Sequence, residues 1–475
     1  MPKTARRSDR DSNQRSLASR LSVRWTNVRS FTDTGWQQIR PLTVVVGPNN
    51  SGKTSFHLPL LLLKQTLLSR DSSIGLMTRG PLVNAGSFRD LVSGHDVDRQ
   101  IDLSIQFHHH TPRRSQELKP LGEYPPGSVD LTFSSDLGTG VVLSRYRARD
   151  MFGRLYLERR RLASGRYSLT RLPAQIPRLR PKPRSAKGRI QNTLQTGVFS
   201  DKPQHFLFSP LFLTDAIEDL APDALEVGLP EWVVLYVSIV GAIREEVSRL
   251  LQGLDYLGPL RRPPQRLYKL SGETPQEVGS RGENAPELLF RSGAAFRRGV
   301  GRWLRRLGLA SRIDTPAVGD EAFAVELRRG TDSPWVNLAD TGFGTSQVLP
   351  LIVQSLREDR TGLLVAEQPE IHLNPRLQAL LSDLFVEVAS EDHPVIVETH
   401  SEHLVLRLRR LIAEGKFNSR DVALYYVEKT GDDSVMRGVP IQTDGHVDPE
   451  AWPRGFFGES LTEALGLAQA QIRNR

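Results

Sequence analysis

The stretch Gly47-Pro48-Asn49-Asn50-Ser51-Gly52-Lys53-Thr54 constrains this chain more than any other, because it reads G-x-x-x-x-G-K-T. That spacing cradles phosphates when a strand precedes the loop and a helix follows it. Both flanks are present. Pro41-Leu42-Thr43-Val44-Val45-Val46 is a β-branched run of the buried-strand kind, and Ser55 to Leu68 is apolar-rich and reads as a helix. Asn49, Asn50, Ser51 and Ser55 extend the nest of backbone N–H groups that favours polyanions. Lys53 is expected to reach the β- and γ-phosphates, and the Thr54 hydroxyl to hold Mg²⁺. A Cβ at Gly47 or Gly52 would obstruct the backbone's close approach. The reading is a site for a nucleoside triphosphate.

Composition bounds the rest. At 475 residues the chain has material for two to four domains, or for one elaborated nucleotide-binding domain. Hydrophobic and charged contents of 38% and 25% fit a globular protein, and the longest apolar run, Trp232 to Ile243, is too short to cross a bilayer. There is no cysteine, which excludes disulfides and Cys-ligated zinc; a cytoplasmic protein without a membrane partner is expected.

The net charge of +9 is unevenly placed. From Ser144 to Ile190 there are fifteen Lys/Arg and two acids, a net +13, so the remainder sums to −4. A local basic surface of this kind meets a polyanion or an acidic partner. Arg145, Arg147, Arg159, Arg160 and Arg161 are its candidate contacts, with Tyr146, Phe152, Tyr156 and Tyr167 interleaved. A solvated, charged sheet face is the plainer alternative.

Taken in order, residues 1–20 read as a disordered basic tail, and Leu21 to Phe31 as a strand. Pro59 should kink or shorten the helix after Thr54. Ile101 to Phe107 alternates as a strand, and His108-His109-His110 follows; adjacent histidines on a strand face opposite ways, which favours a surface over a metal cluster. Residues 111–205 read as a basic, β-rich insertion: an antiparallel meander (129–133, 140–147, 154–158, 166–171), then an exposed loop over Pro173 to Lys187. Residues 206–330 read as a helical region with connecting strands, including helices over Leu211–Leu251 and Glu287–Leu307. Residues 421–475 read as a β-hairpin (Val422–Lys429, Ser434–Ile441) and a tail.

Residues 331–420 complete the nucleotide site. Asp340-Thr341-Gly342-Phe343-Gly344-Thr345-Ser346-Gln347 is a Gly-rich loop before an apolar helix. Leu363-Leu364-Val365-Ala366-Glu367 is a buried strand ending in an acid, followed by Gln368-Pro369-Glu370. Pro394 to Ser401 is a further strand with a polar end that includes His400.

Together with the phosphate loop of residues 21–110, this set resembles the ABC-type ATPases, in particular the RecF/SMC/OLD branch and the OLD-like AAA ATPases of prokaryotic anti-phage operons. The resemblance covers about residues 21–110 and 250–460. It implies an α/β fold: an ABC-type ATPase head, with a P-loop core sheet and an antiparallel β-subdomain, plus the helical region and the basic insertion. It also implies ATP and Mg²⁺ as cofactors, with Glu367 as the Walker B acid beside Thr54. Gly342, Gly344, Ser346 and Gln347 would form the signature loop that caps the nucleotide of the opposite subunit, and His400 would be the switch histidine. Tyr256-Leu257-Gly258-Pro259-Leu260-Arg261 and Trp452-Pro453-Arg454-Gly455-Phe456-Phe457 look like elements of one subfamily.

The chain departs from that pattern at Gln368, where such ATPases place a catalytic glutamate. An amide orients water but takes no proton near neutral pH, which leaves Glu370 as a substitute base. Slow hydrolysis and a long-lived ATP-bound dimer are expected, in a switch that holds an effector protein such as a nuclease or toxin. A RecF-like DNA-binding ATPase of repair is the alternative. An OLD-type nuclease is a third reading, resting on Val427-Glu428 and Asp432-Asp433, but only 47 residues follow Glu428, too few for a two-metal site.

Overall fold

The computed structural model describes residues 21–108, 126–136, 140–171, 203–208, 231–330, 332–357, 362–390 and 393–448, with Glu450, Trp452 and Gln471 besides. The tail of residues 1–20, His109 and His110, the loop of 173–187, residues 211–230 and residues 453–457 lie outside the described residues.

The chain opens with a hairpin, β1 (Leu21–Val28) and β2 (Phe31–Asp33), then β3 (Gln37–Ile39) and β4 (Leu42–Val46). Helix α1 (Thr54–Leu67) follows the phosphate loop and runs continuously through Pro59. Its residues from Ser55 to Thr66 are all buried, as expected of a helix apolar on nearly every side. Burial on every face stabilises it enough to tolerate the backbone donor that Pro59 lacks, so the expected break does not occur.

A four-residue helix α2 (Phe88–Leu91), capped by the reciprocal Ser87–Asp90 pair, leads to β5 (Ile101–Phe107). The meander is β6 (Pro126–Asp136), β7 (Gly140–Asp150), β8 (Leu155–Arg161) and β9 (Tyr167–Arg171). It is continuous with the N-terminal strands, because β6 pairs with β5 and the sheet runs β2-β1-β5-β6-β7-β8-β9 with β3 on β1.

Helix α3 (Glu231–Gln252) packs on α1 and leads into β10 (Asp255–Leu257). The helix expected over 287–307 is two helices, α4 (Ala285–Arg291) and α5 (Ala294–Arg306). Ser292 and Gly293 separate them: both are extended, Ser292 Oγ donates to Leu289 O at 2.6 Å, and Gly293 starts α5. Six short strands follow β10 and flank these helices: β11 (Tyr268–Lys269), β12 (Arg312–Asp314), β13 (Ala317–Val318), β14 (Ala322–Phe323), β15 (Glu326–Arg328) and β16 (Val336–Asn337). They make two three-stranded sheets.

The C-terminal part is α6 (Phe343–Leu356), β17 (Leu364–Glu367), α7 (Pro375–Val388), β18 (Val395–Glu398), α8 (Glu402–Ala413) and the hairpin β19 (Val422–Thr430) and β20 (Asp433–Gly438). The core sheet runs β10-β17-β18-β4-β19-β20, parallel except for β20. Its alternating side chains separate two cores. Val45, Val365 and Ile396 pack toward α1 and the antiparallel sheet, whereas Val44, Val46, Val395 and Val397 pack toward α6, α7 and α8. The two layers are also tied by a hydrogen bond of 2.6 Å from Trp25 Nε1 to Phe56 O. The segment 422–438 therefore closes the core sheet beside β4, and the Glu428 carboxylate is ion-paired with Arg437 across its hairpin.

Candidate nucleotide site

The C-terminal ends of β4, β17 and β18 meet at one edge of the core sheet, the crevice where open α/β sheets bind ligands. Gly47 follows β4 with φ +154°, and Gly52 has φ +97°. A Cβ on Gly47 would collide with the Val427 carbonyl, and one on Gly52 with the Ser30 and Ser434 hydroxyls. The glycines thus admit the neighbouring hairpin, whose Ser434 Oγ donates to Ser51 O at 2.6 Å. Lys53 is buried, and its Nζ donates to Gly47 O at 3.1 Å and Pro48 O at 2.7 Å.

The register places Glu367 of β17 beside Glu398 of β18. Thr54 donates its hydroxyl to Glu398 Oε1 at 3.1 Å. Glu367 takes a different partner: its carboxylate bonds His57 Nε2, one helical turn beyond Thr54, and the other ring nitrogen lies 3.8 Å from Glu398 Oε2. All three groups are buried. Burial pulls the His57 pKa down, but the two carboxylates outweigh it and hold it above the ordinary value. Burial raises Glu367, yet His57 and the Tyr256 hydroxyl leave it below the usual range. Glu398 is pushed up by burial and by Glu367.

Glu370 sits on the other side of the strand end, accepting from the His400 backbone N–H at 2.6 Å. Burial pushes its carboxyl up, and Lys53 lies close enough to oppose that. His400 is held below its ordinary pKa by burial and then by Lys53, so its imidazole is neutral at physiological pH. Gln368 has φ +42° and donates its backbone N–H to Glu398 O at 2.7 Å, which turns the chain sharply after Glu367. Arg261, from the loop after β10, is buried against this floor. Burial lowers its pKa to about 10, while Tyr256, Glu367 and Glu370 oppose that shift.

The Gly-rich loop is already helical. Gly342 caps α6 with φ −59°, and Gly342 and Phe343 are exposed. Gly344 is half-buried. Ser346 and Gln347, expected to meet nucleotide, are buried in the chain's own core. Ser346 Oγ donates to Phe343 O at 2.8 Å. The helix starts at Phe343 instead of after Gln347, and that turns both side chains inward.

The expected basic surface is also corrected. Arg159 is fully buried, bonded to the Tyr236 hydroxyl and lying 4.3 Å over the Phe208 ring. Successive residues of a strand face opposite ways, so the buried Arg159 does not share a surface with the exposed Arg160. The other four are ion-paired: Arg145 and Arg160 with Glu158, at 3.8 and 3.1 Å, Arg147 with Asp130 at 3.5 Å, and Arg161 with Asp136 at 2.7 Å.

Among the phosphate-loop residues, Asn49 and Asn50 are exposed, Asn50 with φ 60°, while Ser51 and Ser55 are buried. Sequence reasoning missed His57, Glu398, Tyr256 and Arg261. The available signals were the three-residue spacing from Thr54 to His57 and an acid ending β18. The Thr54 hydroxyl with the Glu367 and Glu398 carboxylates is a hard-oxygen set, and His57, Glu367 and Glu398 offer ligand atoms within 4.8 Å of one another. Glu398 Oε2 and His57 Nδ1 are buried without a hydrogen-bond partner among the described residues. The two carboxylates and the Thr54 hydroxyl, all oxygen donors, fit a hard divalent cation such as Mg²⁺.

Residues 243–407 match the family described as "AAA domain, putative AbiEii toxin, Type IV TA system", and residues 417–467 match one described as "Protein of unknown function (DUF3696)". No curated protein matches the chain. Solved structures similar to it include the SMC head domain from Thermotoga maritima, at 11% identity and TM-score 0.38, covering 88% of this chain and 99% of that one. Another is the Smc head with an extended coiled coil bound to the C-terminal domain of ScpA, derived from Pyrococcus furiosus, at 11% identity and TM-score 0.38, covering 95% and 98%. Among the described residues no helix is long and apolar enough to cross a membrane. With a phosphate loop on β4, acids on β17 and β18, and residues 243–407 matching that AAA-domain family, the chain is similar to the AAA-type ATPases.

Proposed function

We propose that this protein is a slowly hydrolysing ATPase that works as a nucleotide-gated dimeric switch, holding and releasing an effector in anti-phage defence. The observation that carries this reading is Gln368, in a left-handed turn directly after Glu367. It stands where a carboxylate would take a proton from the attacking water, and its amide cannot. Glu370 is the nearest substitute in sequence, but one of its oxygens is tied to the His400 N–H.

In this reading Lys53 and the loop N–H groups bind the triphosphate, and Thr54, Glu367 and Glu398 would hold Mg²⁺, which neutralises phosphate charge. Glu370 takes the water's proton slowly, and neutral His400 donates toward the γ-phosphate. The exposed N-terminus of α6 supports capping of a second copy's nucleotide, as does the positive dipole end it presents. The family description, with its type IV toxin–antitoxin system, supports the effector and the defence setting.

Single-turnover hydrolysis by wild type and Gln368→Glu tests the slow switch. The carboxylate should speed turnover on the order of a hundredfold; a fast wild type that gains nothing would refute it. Copurification of neighbouring gene products with wild type but not with Lys53→Ala tests the gating.

A further inference from the structure

Helix α5 carries a charge that the nucleotide site does not use. A groove of about 740 Å³ runs between α5, β12 and the start of β16, and Arg297, Arg298, Arg302, Arg305, Arg312 and Trp335 line it. Asp314 is the one acid among its lining residues, so the walls carry a net charge of +4. Arg298, Arg302 and Arg305 recur at spacings of four and three, which puts them on one face of the helix. They span about 10 Å along its axis, at 1.5 Å per residue.

None of these five arginines makes an ion pair among the described residues, unlike Arg306 on the same helix, which pairs with Asp383 at 2.5 Å. Arg297 and Arg305 are held by backbone carbonyls alone, Ser292 O at 2.6 Å and Ser311 O at 2.8 Å, which position a guanidinium without neutralising it. Arg298, Arg302 and Arg312 are exposed. Trp335 is 40% exposed at the rim, with Arg328 near its ring.

Gly299 and Gly301 lie inside α5, where glycine costs about 1 kcal/mol against alanine. A Cβ on either would meet only ordinary contacts, at 3.8 Å. Both glycines are buried along the groove, and packing within the chain does not require glycine at either position.

We propose that this groove is a binding site for a nucleic-acid strand, gripped through its phosphates by Arg298, Arg302 and Arg312, with a base stacked on Trp335. Unpaired guanidiniums take phosphate oxygens in bidentate fashion, and an exposed indole in a basic groove is a stacking platform for any base. A duplex presents phosphates but no free base faces, so Trp335 favours a single strand. The site is separate from the ion-paired arginines of β7 and β8, and it does not depend on ATP turnover.

The test is fluorescence anisotropy of a labelled single-stranded oligonucleotide, a duplex of the same sequence and a labelled polyglutamate, titrated with the full chain across salt concentrations. Wild type should bind the single strand most tightly, with affinity falling steeply as salt rises. Arg298→Glu with Arg302→Glu should weaken binding more than tenfold, and Arg298→Gln with Arg302→Gln should lower the salt slope by about two. Trp335→Ala should weaken the single strand more than the duplex. Thermal midpoint and binding of a fluorescent ATP analogue should stay at wild-type values in all three. No binding by wild type would overturn the proposal, as would stronger binding of polyglutamate, or loss of binding on Arg160→Ala with Arg161→Ala while the α5 variants bind normally.

Discussion

Glu367 of β17 and His57 of α1, 310 positions apart in sequence, are hydrogen-bonded in the buried floor of the nucleotide site. The imidazole also faces Glu398, so one side chain of the helix that begins at the phosphate loop offsets two acids from neighbouring strands. His57→Ala would leave both carboxylates buried without that offset. A stability loss of about 3–5 kcal/mol is expected in urea unfolding, with His57→Gln in between because its amide still donates. An unchanged midpoint in His57→Ala would show that the histidine offsets nothing.

Glu370 gives a pH signature. Burial raises its pKa above the ordinary 4.5, so the folded chain binds that proton more tightly than the unfolded chain does. Its contribution to stability is full below the unfolded value and is lost as pH rises through the folded pKa. Glu370→Gln removes that loss while keeping an acceptor for the His400 N–H. The variant should therefore melt above wild type near pH 7, with the gap closing toward 4.5. Its turnover should fall at every pH.

Gly342 separates dimerisation from folding. Its φ is −59°, and a Cβ there would meet nothing within 4 Å. Gly342→Asp should fold and bind ATP as wild type does, yet place a carboxylate against the second copy's triphosphate. Light scattering with ATP and magnesium should show the dimer in wild type and a monomer in the variant. A dimer that persists in Gly342→Asp rules out capping by α6.

Arg159 belongs to the core. Its guanidinium bonds Tyr236 and lies over Phe208, so Arg159→Ala removes a buried hydrogen bond and a cation–π contact. A loss of about 2–4 kcal/mol is expected from those two terms. Nucleic-acid affinity should be unaffected under conditions where the variant is folded.

Local chemistry determined much of this protein without reference to distant residues. Gly47 to Thr54 specified the phosphate loop, the short apolar runs specified β4, β17 and β18, and the alternating strands from Val129 onward specified the meander. Each signal lies within about ten residues, which is the reach of backbone propensity and hydrophobic period. Gln368 was legible for the same reason, as one residue in a short motif.

Only the tertiary structure decided which side chains share a site. Thr54 bonds Glu398 and not Glu367, because the crossovers seat β18 between β17 and β4. His57 could not be read from α1 alone, since its partners come from strands more than 300 residues away. The same limit misled the reading of charge. Arg159 to Arg161 looked like one basic surface, but the pleat buried the first, and acids on β6 and β8 paired the others. Arg297, Arg298, Arg302 and Arg305 of α5 make no ion pair among the described residues, whereas Arg306 does, because pairing depends on what the fold brings within 4 Å, which sequence spacing does not encode.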